Sequence, residues 1–159
     1  MSPGRYLPAL VGSYPLHVGP GNATGEAGSE ASLDLQYIMS MATVSVPTEF
    51  WAAPRHETLF PWIQRVNAAV DPPQVHSVSY GNDECQQTST DYMDQCNTEF
   101  QKAGARGLSV LFASGDQGAW GRSGVGTSYH PDFPAGSPYV TAVGCWTVVV
   151  DWLVEGVDG

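Results

Sequence analysis

Apolar residues recur at helical spacing in three stretches of the chain, 29–41, 56–70 and 88–105. Spacings of three and four residues bring such side chains onto one face of a helix, so each stretch predicts a helix. Ser29 can cap the first helix, and its apolar positions are so numerous that we expect this helix to be mostly buried. They are Leu33, Leu35, Tyr37, Ile38 and Met39. The corresponding face of the third helix comprises Tyr92, Met93, Cys96, Phe100 and Ala103.

Four shorter stretches are rich in β-branched and aromatic residues and are bounded by Gly or Pro, which is typical of strands. They are TVSVPTEFW (43–51), QVHSVSYGND (74–83), GLSVLFASGD (107–116) and PYVTAVG (138–144). The order strand, helix, strand from 74 to 116 predicts a βαβ unit, so we expect a parallel sheet covered by helices. Ligands of such sheets bind at the carboxyl ends of the strands, and Asp116 directly follows one of those ends.

The composition indicates a folded domain and narrows the choice of partner. The 159 residues are 42% hydrophobic, which suffices for one domain with a core. Acidic residues outnumber basic ones 16 to 6, and the resulting net charge of -10 argues against nucleic acid or an anionic membrane as a partner. We find no apolar run of membrane-spanning length and no signal peptide in the sequence.

Two carboxyl groups, Glu30 and Asp34, stand four residues apart at the start of the first helix. Residues at this spacing share a helix face, and two like charges held close cannot both ionise cheaply, which suits acid or base catalysis. The alternative is a solvated acidic face, which the apolar neighbours of the pair disfavour. Asp116 is either a site residue or an Asp that completes a turn, and spacing alone leaves these two interpretations even.

Other candidate groups give weaker signals. Neither the histidines nor the cysteines show metal-ligand spacing, so we interpret the histidines as surface or core residues and predict no metal site. The tripeptide Gly126-Thr127-Ser128 looks like a serine nucleophile, but it lacks a G-x-S-x-G elbow and a preceding strand, so we interpret it as a loop. The histidines considered are His56, His76 and His130, and the cysteines are Cys85, Cys96 and Cys145.

Four runs of residues, taken in order, resemble the serine-carboxyl peptidases, or sedolisins. They are EASLDLQY (30–37), SVSYG (77–81) followed by Glu84, ARGLSVLFASGD (105–116) and FPAGSPYVTAVG (133–144). The resemblance covers residues 25–144 and implies a subtilisin-like α/β fold of three layers with a parallel sheet. WAAPRHE (51–57) and FPWIQ (60–64) further resemble the tripeptidyl-peptidase branch of the family, which is lysosomal in animals and releases tripeptides from peptide N-termini.

The resemblance also implies roles for individual residues. Glu30 matches the general base that activates a serine nucleophile, and Asp34, one turn later, matches the Asp that orients this base. Asp116 matches the Asp that donates a hydrogen bond to the oxyanion, which requires it to be protonated, so the chemistry is expected at acidic pH. The substrate-binding residues implied in this way are Ser79, Tyr80, Gly81, Ser114 and Gly115.

The family's serine nucleophile and calcium site lie well downstream of the Asp loop, and the sequence ends 43 residues after Asp116. We therefore expect a partial, incomplete peptidase domain at 25–144, preceded by a loop segment at 1–24 and followed by a divergent tail at 145–159. We expect such a chain to hold no cofactor and to be inactive and marginally stable in isolation, because it lacks the nucleophile and leaves a sheet edge open. Its expected partners are a peptide substrate and, in the complete protein, a prodomain, and its expected location is the lysosome or the secretory route.

Three alternatives stay open at this point. A catalytically dead fragment could bind peptides or a prodomain through the same substrate-binding strand. A doubly wound domain could bind phosphate with the Gly-rich stretch near Asp116, although a G-x-G-x-x-G motif and a P-loop Lys are missing from it. A paired-carboxylate glycosidase is disfavoured, because its two carboxyl groups flank a sugar bond instead of sharing one side of a helix.

Overall fold

The computed structural model describes residues 16–18, 29–42, 46–52, 58–122 and 128–144. Its helices are α1 (Ser29–Ala42), α2 (Leu59–Ala68) and α3 (Thr90–Ala105). Its strands are β1 (Leu16–Val18), β2 (Glu49–Trp51), β3 (Val75–Val78), β4 (Asn82–Asp83), β5 (Ser109–Ala113), β6 (Asp132–Phe133) and β7 (Thr141–Val143). The predictions for the tail at 145–159, for His56 and for Gly126 and Thr127 fall outside the described residues.

A parallel three-stranded sheet forms the centre of the described fold, in the order β3-β5-β7. Helix α3 connects β3 to β5, so the predicted βαβ unit is confirmed. Val75 of β3 lies opposite Ser109 of β5 and sets the register of that pair. Side chains of a strand alternate between the two faces of the sheet, and in β5 Val110 and Phe112 are buried while Leu111 between them is half-buried.

Helices α2 and α3 cover the sheet face that carries Phe112. The Phe112 ring meets Trp62 of α2 edge to face with ring centroids 6.2 Å apart, and it meets Phe100 of α3 in the same manner at 5.5 Å. Burial of each such side chain contributes about 1.5–3 kcal/mol, and these contacts join both helices to the sheet. The core consists of Trp62, Ile63, Val66, Cys96, Phe100, Ala103, Val110, Phe112 and Phe133.

The ends of α3 follow from its sequence. The Ser89 hydroxyl accepts a hydrogen bond from the Tyr92 amide (3.1 Å), which caps the first turn. Gly107 has a φ of 82° just past the last turn, a conformation that glycine adopts without strain. Arg106, the residue that directly follows α3, donates at 2.6–3.1 Å to three carbonyl groups at the end of α2. A cation at a helix C-terminus is favourable, so Arg106 ties α2 to α3.

The apolar face of α1 is open among the described residues, so the expectation of a mostly buried helix is wrong there. Leu33 is 51% exposed and Tyr37 is 65% exposed. The predicted helix itself is confirmed, and it includes Ser29, the residue that we expected to cap it. Periodicity identifies the side chains that share a face but not what packs against them, and no described helix or strand packs extensively on α1.

Residues 16–18 also differ from the sequence prediction. They belong to the segment 1–24, which we expected to be a loop, yet they form β1, which runs parallel to β2. Leu16 lies opposite Glu49 in this pair. A strand of three residues is too short to produce a periodic signal, and the neighbouring Gly and Pro residues conceal it further.

Candidate active site

The carboxyl ends of β3 and β5 meet at one edge of the parallel sheet. The predicted substrate-binding segments Ser79–Gly81 and Ser114–Gly115 continue from these ends, and the second leads into Asp116. Strand β7 anchors the second segment, because the Ser114 amide donates to the Val143 carbonyl (2.9 Å). A cavity of about 180 Å³ is lined by the end regions of β3, β5 and β7. The fold therefore brings together segments that lie more than 30 residues apart in the sequence.

Both segments approach the side chain of Asp132, a residue that sequence reasoning missed. A Cβ atom at Gly81 would collide with the Asp132 carboxylate, and a Cβ at Gly115 would lie 3.1 Å from its Oδ2. Gly115 also has a φ of 86°, which favours glycine. The glycines at these two positions thus allow the backbone of both segments to approach one carboxylate.

Asp132 belongs to a charged network with Arg122 and Asp83. The Arg122 guanidinium lies 2.7 Å from Oδ2 of Asp132 and 3.6 Å from Oδ1 of Asp83. The Arg122 amide also donates to both carboxylate oxygens of Asp83, at 3.1 and 2.9 Å. The hydrogen bond to Asp132 raises the pKa of Arg122, as do the charges of Asp132, Asp83 and Asp116, against a smaller opposing effect of burial.

One oxygen of this network is buried without a partner. Oδ1 of Asp132 makes no hydrogen bond to any of the described residues. Asp83, on the other side of Arg122, is 1% exposed. Buried carboxylates need a counter-charge, so Arg122 holds the two aspartates together beside the sheet edge. Sequence reasoning had no signal for this network, because Arg122 stands 39 residues from Asp83 and 10 from Asp132.

Comparisons with known proteins identify the family of the chain. No family model matches the chain. The chain is 49% identical over 146 residues to tripeptidyl-peptidase 1 of Mus musculus, a match that covers 85% of this chain and 25% of the relative. It is also 49% identical over 126 residues to tripeptidyl-peptidase 1 of Homo sapiens, covering 76% of this chain and 22% of the relative. The chain belongs to the sedolisin, or serine-carboxyl peptidase, family.

A solved sedolisin structure agrees with the fold. Pseudomonas sedolisin, a serine-carboxyl proteinase complexed with two molecules of pseudo-iodotyrostatin, matches with a TM-score of 0.61 and 25% identity. The match covers 80% of this chain and 39% of that chain. The expected subtilisin-like α/β fold with a parallel sheet is therefore confirmed. This sedolisin-type chain spans about a quarter of the length of the curated relatives it matches.

The three expected catalytic carboxyls of this sedolisin-type chain lie on two elements. Glu30 and Asp34 are one turn apart on α1, where Glu30 is exposed and Asp34 is half-buried. Asp116 is exposed in the loop after β5. The catalytic roles of these three carboxyls stay predictions.

The described histidines have different environments. His76 is a core residue, as we interpreted it: it is 7% exposed and packs edge to face against Trp51 and Trp62, with ring centroids 5.9 Å away in each case. Burial lowers the pKa of His76, although a backbone hydrogen bond at Pro73 and the charge of Glu49 oppose this.

His130, in contrast, has a cysteine partner. Its Nδ1 lies 3.6 Å from Sγ of Cys85, a residue 45 positions away in the sequence. Sequence spacing gave no sign of this contact, because the two residues lie 45 positions apart. The pairing of β4 with β6 helps to bring the two residues together, and no local pattern reveals that pairing.

Proposed function

We propose that this chain is part of an acid peptidase of the tripeptidyl type, with Glu30, Asp34 and Asp116 as its catalytic carboxyls. The observation that carries the proposal is the 49% identity to tripeptidyl-peptidase 1. A match that covers 85% of the chain necessarily includes positions 30 to 116, so all three carboxyls lie inside it.

The proposed mechanism is acyl transfer with a serine nucleophile. Glu30 accepts the proton of the serine hydroxyl while the serine oxygen attacks the scissile carbonyl, and Asp34 orients the Glu30 carboxyl. Protonated Asp116 donates a hydrogen bond to the oxyanion that forms. Glu30 then passes the proton to the leaving amine. In the second half, Glu30 accepts a proton from water, the water oxygen attacks the serine ester of the tripeptide, and the proton returns to the serine oxygen as the free tripeptide leaves. A general base contributes about 10²–10⁴-fold and an oxyanion donor about 10²–10³-fold.

We further propose that the 159 residues do not themselves supply the nucleophile. Ser128 is exposed and does not follow a described strand directly, and the tripeptide that contains it lacks the G-x-S-x-G pattern. The isolated chain is then expected to release no tripeptides at acidic pH. Tripeptide release that Glu30→Gln abolishes would overturn this part of the proposal, and loss of the same activity in Ser128→Ala would assign the nucleophile to Ser128.

The substrate is proposed to bind as an extended peptide along Ser79–Gly81. This segment continues β3 beyond its last paired residue, and the side chain of Tyr80 is 70% exposed. Unpaired backbone groups at such a position can accept a peptide as an added strand. Binding of a peptide or a prodomain without turnover is the second candidate function, and it rests on the same segment.

Lysosomal or secretory location is part of the proposal. The net charge of -10 at pH 7 decreases in magnitude as carboxylates are protonated in an acidic compartment, which suits this location. None of the described helices is long and apolar enough to cross a membrane.

A chimaera tests the proposal. Residues 25–144 replace the corresponding segment of tripeptidyl-peptidase 1 of Mus musculus, and kcat/KM is measured on a fluorogenic tripeptide substrate. Activity within about tenfold of the parent enzyme is expected, because the transplanted residues then complete a working site. A folded, secreted chimaera that binds the substrate without turnover would contradict the peptidase proposal and favour the binding function.

A further inference from the structure

Three side chains of types that bind metals converge at the Asp83 end of the Arg122 network, and none of them has a role in the proposed peptidase mechanism. They are Asp83, Cys85 and His130, and their ligand atoms all lie within 4.8 Å of one another. We propose that they form a binding site for a divalent cation of the zinc type. Neither the peptidase mechanism nor the resemblance to the sedolisins uses this set of residues.

The backbone around the three residues is held by hydrogen bonds. Strand β4, which carries Asp83, pairs antiparallel with β6. The Glu84 amide donates to the Pro131 carbonyl (2.9 Å), which ties the turn after β4 to the segment before β6. The His130 amide donates to the Ala119 carbonyl at 2.9 Å. These hydrogen bonds fix the backbone of the three ligand residues, so cation binding would order little of the backbone there.

The separation of sulfur and nitrogen matches a tetrahedral zinc centre. Sγ of Cys85 lies 3.6 Å from Nδ1 of His130. With Zn–S and Zn–N bonds of about 2.3 and 2.0–2.1 Å and a tetrahedral angle between them, the two ligand atoms are expected about 3.6 Å apart. One ion could therefore bind both atoms without rearrangement of the backbone. Thiolate, imidazole and carboxylate together are ligands of zinc, whereas calcium and magnesium prefer oxygen.

Burial of the three residues leaves one side of the site accessible. Asp83 is buried, His130 is half-buried and Cys85 is exposed, so an ion could enter from the Cys85 side and keep water as a fourth ligand. Gly121 borders the other side with a φ of 60°. A Cβ at Gly121 would lie 2.6 Å from Cβ of His130 and 2.7 Å from Oδ2 of Asp83, so a side chain there would displace two of the three ligands.

Arg122 limits the affinity that we expect. Both oxygens of Asp83 already accept hydrogen bonds from the Arg122 amide, and the guanidinium lies 3.6 Å from Oδ1. Each carboxylate oxygen has a second lone pair, so ligation is compatible with these bonds, but the nearby positive charge opposes a cation. On binding, the Cys85 thiol releases its proton to the solvent, while the ring nitrogen and the carboxylate contribute lone pairs.

Cobalt and zinc titrations of the reduced 159-residue chain test the site. Co²⁺ is expected to bind with a stoichiometry of one and to give visible tetrahedral bands together with a near-ultraviolet sulfur-to-metal band, and Zn²⁺ should displace it. Cys85→Ser should abolish the sulfur band and weaken zinc binding by about 100-fold or more. His130→Asn should also weaken binding. Cys145→Ser serves as the thiol control, and it should retain the spectrum.

The contrary outcomes are distinct. Cobalt bands that persist in Cys85→Ser, or that disappear in a folded Cys145→Ser variant, would overturn the proposed ligand set. A wild-type chain with native far-ultraviolet circular dichroism and no bound Co²⁺ or Zn²⁺ would mean that Cys85 and His130 share an ordinary hydrogen bond. If the chain lacks native circular dichroism, the same titrations are made on the chimaera. None of these results depends on peptidase activity, so the two proposals can fail separately.

Discussion

Replacing Arg122 by Gln removes the counter-charge of two carboxylates beside the proposed substrate-binding segments. Asp83 is 1% exposed, and the side chain of Asp132 is 8% exposed. Removing one partner of a fully buried ion pair costs about 3–5 kcal/mol, whereas an exposed pair contributes at most about 1 kcal/mol. The Arg122 side chain is 34% exposed, and its amide keeps its bonds to Asp83 in the variant. We therefore expect a loss of about 1.5–3 kcal/mol in the free energy of unfolding.

Urea denaturation followed by tryptophan fluorescence measures this loss, because Trp62 is part of the core. A double-mutant cycle with Asp132→Asn isolates the pair and should give a coupling energy of about 1–2 kcal/mol. Lys102 and Glu99 provide the matched control, since their side chains approach to 2.6 Å but Lys102 is 57% exposed. Their coupling energy should be below about 1 kcal/mol. A coupling at Arg122 no larger than that of the control pair would refute the reasoning about burial.

Three further predictions concern stability and pH. Gly121→Ala should lower the free energy of unfolding by about 2 kcal/mol or more, because Gly121 has a positive φ and the new Cβ would make the two close contacts described above. Gly104→Ala should raise it by about 0.5–1 kcal/mol, since Gly104 is helical and a Cβ there meets nothing within 4 Å. Equal effects of the two substitutions in thermal denaturation would contradict this prediction. Phe112→Ala should cost about 3–5 kcal/mol in urea denaturation, and a loss below about 1 kcal/mol would mean that the described core is wrong. Burial would raise the pKa of Glu99, but hydrogen bonds from Lys102 and Asn67 lower it below 4.5. The ionised Glu99 side chain therefore stabilises the fold above pH 4.5, and this stabilisation is lost as the pH falls through the folded-state pKa. In Glu99→Gln the free energy of unfolding should therefore fall less steeply as the pH is lowered below 4.5. An unchanged pH dependence would show that this carboxylate is not stabilised in the folded state.

His76 adds to the same acid sensitivity. Its folded-state pKa lies below the ordinary 6.5, so the neutral side chain favours the folded state above pH 6.5, and this contribution is lost as the pH falls through the lowered pKa. Both His76 and Glu99 thus destabilise the chain on acidification.

Local sequence patterns predicted the elements whose ends are set by residues close to them in the sequence. Helix α3 begins after Ser89 and ends before Gly107 because one residue caps the first turn and the other adopts a positive φ. The βαβ order predicted the parallel pairing of β3 with β5, and thereby the edge at which Asp116 lies. These signals depend on residues close in sequence, so they can be recognised without the fold.

Other features depend on contacts between distant segments and gave no sequence signal. The two-residue strands β4 and β6 position two such features. One is Asp132, which lies against Gly81 and Gly115, and the other is the Cys85–His130 pair. The burial of α1 was predicted wrongly for the same reason, because a helical period does not say which surface covers it. The family resemblance, in contrast, rested on the order of several motifs, and that signal was strong enough to name the catalytic candidates.

The central claim is that Glu30 is the general base of a sedolisin-type site. In the chimaera with the mouse enzyme, kcat and KM are compared for Glu30→Gln and for Asp91→Asn, an exposed acidic residue in the first turn of α3. The account predicts that Glu30→Gln lowers kcat by about 10²–10⁴-fold with little change in KM, while the control retains full activity. A Glu30→Gln chimaera with kcat within a few-fold of the unsubstituted chimaera would contradict it.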